Sequence, residues 1–104
     1  MVKVFITYRL NEEVTREQYR RWSREVDQPL ASKQPGVLKY EIYEVTGAGT
    51  GEPGFDVIEV IEAESREAWE AVNERPEMKE AVAQFFAIAE RGSVQVVYAD
   101  RVDP

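Results

Sequence analysis

Val2-Lys-Val-Phe-Ile-Thr-Tyr-Arg-Leu10 is followed by Asn11-Glu-Glu-Val14 and then by Thr15-Arg-Glu-Gln18-Tyr19-Arg-Arg-Trp22-Ser-Arg-Glu-Val26-Asp27-Gln-Pro29. The first run reads as a strand, with Val2, Val4, Ile6 and Tyr8 on one face and Lys3, Phe5, Thr7 and Arg9 on the other. Phe5 keeps the second face from being wholly polar, so both sides are expected to be covered. Asn11 to Val14 reads as a turn. Thr15 and Gln18 then form a capping box, with Val14 and Tyr19 placed for a hydrophobic staple. Tyr19, Trp22 and Val26 recur at helical spacing and make the inward stripe of the helix that follows. Pro29 predicts an end or a kink near Asp27 and Gln28. Arg16, Arg20, Arg21 and Arg24 lie largely off the stripe. With Glu17–Arg21 and Arg21–Glu25 as i,i+4 pairs, they read as a solvated face rather than a basic binding patch.

The same order then repeats. Pro35-Gly36 marks a turn. Val37 to Val45 reads as a second strand, with Leu38, Tyr40 and Ile42 on one face and Val37, Tyr43 and Val45 beside Lys39 and Glu41 on the other. Beyond the glycine-rich stretch 46–54, Phe55 to Ile61 reads as a third strand. Ser65 opens a second helical region carrying Ala68, Trp69 and Val72. Pro76 interrupts it as the first-turn proline of a further helix, with Met78, Ala81, Val82, Phe85, Phe86 and Ala89 apolar and Gly92 as its C-cap. Val94 to Tyr98 is the last strand. Strand–helix–strand twice over predicts an α+β fold of the ferredoxin-like kind. Residues 1–104 would form a single domain, a four-stranded antiparallel sheet with its helices on one face. The other face carries too many apolar side chains to stay bare, which points to a homodimer closed through its sheets.

The bulk numbers agree. A chain of 104 residues is one domain, 43% hydrophobic. At this size it buries only about 60–65% of its unfolded surface, so a second subunit would add usefully to a thin core. The net charge of −7 is uneven: residues 1–52 carry eight basic and eight acidic side chains, residues 53–104 five and twelve. An acidic half repels phosphate backbones and anionic lipid heads, which argues against nucleic acid and membrane partners. There is no cysteine and no histidine. Disulfides, thiolate nucleophiles, Cys-ligated metals and any Ser–His triad are thereby excluded, and the usual neutral-pH base is missing. The start, Met1 to Tyr8, is too short for a signal peptide and lacks its flanks. No apolar run approaches the roughly 18 residues of a spanning helix, so a cytoplasmic location is the default expectation.

Two apparent motifs carry no chemistry. Gly47, Gly49, Gly51 and Gly54 suggest a phosphate loop, but the stretch joins two strands instead of leading a strand into a helix, and no Gly-Lys-Ser/Thr follows. It reads as a flexible hairpin connection. Glu59, Glu62, Glu64, Glu67 and Glu70 read as polar faces, and no acidic cluster has calcium-loop spacing, so neither a metal nor a cofactor is expected.

Between Trp22 and Tyr40 the chain shows Pro29-Leu30-Ala31, then Pro35-Gly36, then Lys39-Tyr40. In order and spacing this resembles the dimeric α/β-barrel superfamily, particularly its EthD-like members, with Asp27 standing where that family often has histidine. The whole chain is also similar to the small RedY-like and HapK-like proteins encoded with prodiginine-type pigment pathways. The resemblance implies a pocket inside each subunit, between helices and sheet, and dimerisation through the other sheet face. Its relatives include polyketide cyclases, cofactor-independent monooxygenases, isomerases, dehydratases and haem enzymes. The missing histidine argues against haem.

Asp27 is the first catalytic candidate, a carboxyl at the end of an apolar helical stripe where aromatic walls would desolvate it and suit it to acid–base work. The resemblance places it at the pocket mouth. Tyr8 and Tyr40, on strands that can be neighbours, are candidates to orient a substrate oxygen or share a proton with Asp27; buried tyrosines need a partner in any case. Trp22, Tyr19, Val26, Phe85 and Phe86 are candidate substrate-binding walls, and Arg9 a candidate for an anionic oxygen, against the plainer reading of each as core or surface. The expected activity is cofactor-free acid–base chemistry of secondary metabolism (dehydration, cyclisation or isomerisation) on a small apolar cyclic or aromatic intermediate. The alternatives are a cofactor-free monooxygenase and a non-catalytic binding protein for a pathway intermediate.

Overall fold

In the computed structural model, which describes residues 1–104, the capping box at Thr15 is formed. Gln18 N–H donates to Thr15 Oγ1 at 3.1 Å and Thr15 N–H donates to Gln18 Oε1 at 2.9 Å. The helix it starts runs through Pro29 instead of stopping before it. α1 (Arg16–Trp22) passes into a π-helical turn (Ser23–Asp27) and then into α2 (Gln28–Ala31). In the π turn Gln28 N–H reaches back to the Ser23 carbonyl. The wider coil makes room ahead of Pro29, which lies in the first turn of α2 where it leaves no N–H unpaired.

The strands are β1 (Val2–Tyr8), β2 (Val37–Glu44), β3 (Val57–Ala63) and β4 (Gln95–Ala99), forming one antiparallel sheet in the order β2-β3-β1-β4. Each strand–helix–strand half thus has a strand of the other half between its own two, the ferredoxin-like arrangement. β1 ends before Leu10, which leaves the ladder to bridge Ala89. β3 begins two residues later than its apolar run suggests. Asp56 is held at the corner, its N–H on the Tyr8 carbonyl at 2.9 Å and its carboxylate on Leu10 N–H at 2.9 Å. In β2 a bulge falls between Val37 and Lys39, so the expected faces change. Val37, paired with Ala63, joins the side of Tyr40 and Ile42, and Leu38 is turned out to solvent.

Ser65 caps α3 (Arg66–Val72) by accepting from Ala68 N–H at 3.0 Å. A 3-10 turn (Pro76–Met78) leads into α4 (Lys79–Ile88), with Pro76 in the expected first-turn position. Gly92 is not the cap of α4. The helix stops at Ile88, where Asn11 takes over: its backbone N–H donates to the Ile88 carbonyl at 2.8 Å and its Nδ2 to the Ala87 carbonyl at 2.9 Å. Gly92 lies in a separate 3-10 turn (Arg91–Ser93).

The helices all pack on one side of the sheet. Val4, Ile6 and Tyr8 of β1 and Val57, Ile61 and Ala63 of β3 are buried there with Tyr19, Trp69, Val72 and Met78. Two of the arginines read as a solvated face tie α1 to the sheet instead. Arg20 pairs with Glu44, and Arg16 donates to the Val45 carbonyl at 2.7 Å and to Asp56 at 3.2 Å. Of the two expected helical pairs, Glu17–Arg21 forms, at 3.8 Å. The other sheet face is open. Phe5 lies between Val60 and Val97 in register, with Ile58 and Tyr43 in the adjoining row. No helix is long and apolar enough to cross a membrane.

Candidate functional site

Between the sheet and the α3–α4 segment lies a cavity of about 130 Å³. Fourteen residues line it, eleven of them hydrophobic, so the three that are not decide its chemistry: Asp27, Glu59 and Asn73. Phe86 and Val96, both partly exposed, mark its mouth, and the Arg91 guanidinium stacks on Phe86 4.5 Å from the ring centroid. Tyr40 and Trp69 form one wall, their rings 6.4 Å apart.

Glu59 has no counterpart among the expected site residues. The sequence pattern puts it on a polar face, yet only 4% of its surface is exposed. The alternation of β3 puts it on the helix side with Val57 and Ile61, paired with Ile6 on β1 and Ile42 on β2. Its two oxygens are satisfied by tyrosines from the neighbouring strands. Tyr8 Oη donates to Oε2 at 2.7 Å, and Tyr40 Oη lies 3.2 Å from Oε1. Tyr40 Oη is also 2.9 Å from Asp27 Oδ2, and the Tyr8 and Tyr19 hydroxyls are 2.6 Å apart. The result is a continuous hydrogen-bonded string: Tyr19, Tyr8, Glu59, Tyr40, Asp27. The last residue of the π turn supplies its cavity end.

No lysine or arginine enters this string, so burial dominates its electrostatics. Burial pushes Asp27 up to about 6, with the Tyr40 hydroxyl pulling the other way. Glu59 is pushed up to about 8, first by burial and then by the Asp27 charge, against the opposing hydrogen bonds of Tyr8 and Tyr40. Burial and the nearby Glu59 raise all three phenols, which therefore stay neutral across the physiological range. Two carboxyls that lose their protons in different ranges, bridged by a phenol at the wall of an apolar cavity, can exchange protons with a guest and with each other.

Asp27, Tyr40, Phe85 and Phe86 all line the cavity. Tyr8 stands behind Glu59, hydrogen-bonded to it, and Tyr19 stands behind Tyr8, bonded to its hydroxyl. Trp22 lies outside, tilted against Tyr19 and Phe85 with its Nε1 donating to Gln84 at 2.8 Å. Val26 packs against the core without reaching the cavity. Arg9 does not approach it: its guanidinium pairs with Glu90 at 3.0 Å and donates to the Gly54 carbonyl at 3.2 Å. Trp69, expected only as an apolar residue of the second helical region, is a cavity wall. No group of three or more side chains is arranged to hold a metal ion.

Solved structures share this fold. HapK from Hahella chejuensis superposes with a TM-score of 0.80 at 19% identity, covering 100% of this chain and 95% of that one. An EthD-family protein from Bacillus halodurans gives 0.76 at 18%, covering 98% and 99%. A dimeric ferredoxin-like protein of unknown function from Thermobifida fusca gives 0.74 at 17%, covering 96% and 90%. At these identities the likeness is one of fold. No curated protein sequence matches the chain. The model of the REDY-like protein HapK family matches residues 2–102, nearly the full length, and the chain belongs to that family.

Proposed function

We propose that this chain is a cofactor-independent acid–base enzyme acting on a small apolar ring compound held in the cavity. The observation that carries this reading is the Asp27–Tyr40 pair, 2.9 Å apart, on the wall of a hollow whose other polar lining residues are Glu59 and Asn73. The hollow matches one ring in size: a buried apolar cavity of about 150 Å³ admits benzene. Raised by burial to about 6, Asp27 is a stronger base than an exposed carboxylate and can take a proton from a carbon next to a carbonyl. Tyr40 holds the carbonyl oxygen as it gains charge. The apolar lining leaves few partners for water beside the enol so formed. Dehydration, ring closure and isomerisation all proceed from such a species.

The test is exchange of carbon-bound hydrogen in D2O, followed by NMR, for a panel of cyclic and aryl ketones. The wild-type protein should accelerate exchange for at least one of them. Asp27→Asn should lower that rate about 10²–10⁴-fold with an unchanged fold by circular dichroism. Undiminished exchange in the purified variant, or tight binding of the panel with no exchange at all, would remove the catalytic assignment; the second outcome would favour a carrier.

We also propose that the open sheet face meets a second copy of the chain. The row of Phe5, Val60 and Val97 supports this, as does the description of the Thermobifida neighbour as dimeric.

A further inference from the structure

The hydrogen-bonded string has four contacts and three phenol protons to fill them. A phenol has one proton to donate. Tyr40 nevertheless lies between two carboxyl oxygens, Asp27 Oδ2 at 2.9 Å and Glu59 Oε1 at 3.2 Å. It can donate to one of them, and the other contact is a hydrogen bond only if that carboxyl brings a proton of its own. At the far end the count is already closed, since Tyr19 can donate to Tyr8 and Tyr8 to Glu59 Oε2.

Two arrangements then give every contact one proton. In the first, Glu59 is neutral and donates to Tyr40, which donates to an ionised Asp27. In the second, Asp27 is neutral and donates to Tyr40, which donates to an ionised Glu59. Both need a single proton on the carboxyl pair. With no carboxyl proton the phenol is shared between two anions, and with two the tyrosine receives from both sides.

We propose that Asp27, Tyr40 and Glu59 form a one-proton relay in which Glu59 holds the proton at rest and delivers it through the Tyr40 hydroxyl. Glu59 acts through Tyr40, so it is a positioning residue for the site's proton. The shorter Tyr40 contact is to Asp27, as expected where the acceptor carries the charge. The ionisable groups facing Glu59 are Tyr8 on β1, Tyr40 on β2, Asp27 on the π turn and, beyond Tyr8, Tyr19 on α1. The α3–α4 segment presents Trp69, Asn73 and Met78 to the cavity and no charge.

The relay deepens the acid–base reading above and rests on it for its substrate. In a ketone-to-enol step, a carbon–hydrogen bond breaks and its proton goes to Asp27, while the electron pair remains in the substrate. The developing oxyanion takes the Tyr40 proton as the Glu59 O–H bond breaks to replace it. The site is left with neutral Asp27, neutral Tyr40 and ionised Glu59. Passing one proton back, from Asp27 through Tyr40 to Glu59, restores the resting state with no net gain or loss. At no stage does a buried tyrosine need to persist as phenolate.

The experiment needs no substrate: carboxyl carbons of the wild-type protein, labelled with carbon-13, are titrated by NMR. Asp27 should ionise first, near 6, and Glu59 second, near 8, so that at pH 7 the pair carries one proton and Glu59 holds most of it. Asp27→Asn should lower the Glu59 step by about a unit or more, because the neighbouring charge is gone. Glu59→Gln, which keeps an acceptor for Tyr8 and a donor for Tyr40, should leave the Asp27 step where it was. Both carboxyls ionised at pH 7, both protonated there, Glu59 ionising first, or a Glu59 step unmoved by Asp27→Asn would each overturn the relay. If the titration behaves as stated while no ketone exchanges, the substrate reading fails and the relay stands.

Discussion

A carboxyl buried among phenols stores a pH dependence in the stability of the molecule. Burial raises Glu59 and Asp27 above their unfolded values. The folded state therefore binds more protons, and the stability these groups allow is full below about pH 4 and is lost as pH rises through 6 and then 8. Glu44 and Glu90, held low by Arg20 and Arg9, act with the opposite sign and only on the acid side, so the interval from 6 to 8 belongs to Glu59. Urea denaturation should show wild-type stability falling across that interval. Glu59→Gln should flatten the curve there, its advantage growing by up to about 1.4 kcal/mol per pH unit. A difference constant with pH would contradict the raised Glu59. Nothing local announces this residue. Val57 to Ala63 alternates with an acid on either face, Glu59 beside Val57 and Ile61, Glu62 beside Ile58 and Val60. Only the placing of the helices decides which glutamate is enclosed. Asp27 was legible because the apolar stripe of Tyr19, Trp22 and Val26 leads up to it, whereas Tyr40 shared its strand with a second face carrying Val37, Tyr43 and Val45, and the register with β3 decided which face is enclosed.

At the scale of elements, punctuation by single residues was largely readable and its exceptions were tertiary. Thr15, Ser65 and Pro76 start helices as their chemistry dictates. The end of α4 was not readable from its own residues, because Asn11, far away in sequence, caps it. The passage through Pro29 depends on the π turn, whose five residues carry no marker in sequence. Gly36 is the turn residue with least freedom to change. Its φ is +86°, and an added Cβ would lie 2.8 Å from the Ala68 Cβ. Gly36→Ala should therefore destabilise by roughly 1–3 kcal/mol, read as a lowered urea midpoint, because the left-handed backbone and the contact with α3 both oppose it. A variant as stable as wild type would show that β2 can shift away from α3 at little expense.

For the molecule as a whole, the order of six elements was enough to place the strands, since crossover connections of this length admit few sheets. Which aromatic residues border the cavity was not, because Trp22 and Phe85 occupy the same inward side of their helices and differ only in what lies beyond them. The open face sets the expected assembly. A few hundred Å² of apolar surface covered at about 25 cal/mol per Å² contributes several kcal/mol toward the cost of association. Phe5→Glu puts a charge in the middle of that face. Sedimentation should find the wild type as a dimer and the variant as a monomer of unchanged fold. A monomeric wild type would refute the sheet-to-sheet pairing. β3 separates these two roles by the thickness of one strand. Positions 57, 59, 61 and 63 look toward the helices and positions 58, 60 and 62 away from them. On the two proposals above, parity sorts the strand: a change at Glu59 is expected to alter turnover, changes at Ile58 and Val60 to alter stoichiometry, and changes at Val57, Ile61 and Ala63 to alter the core.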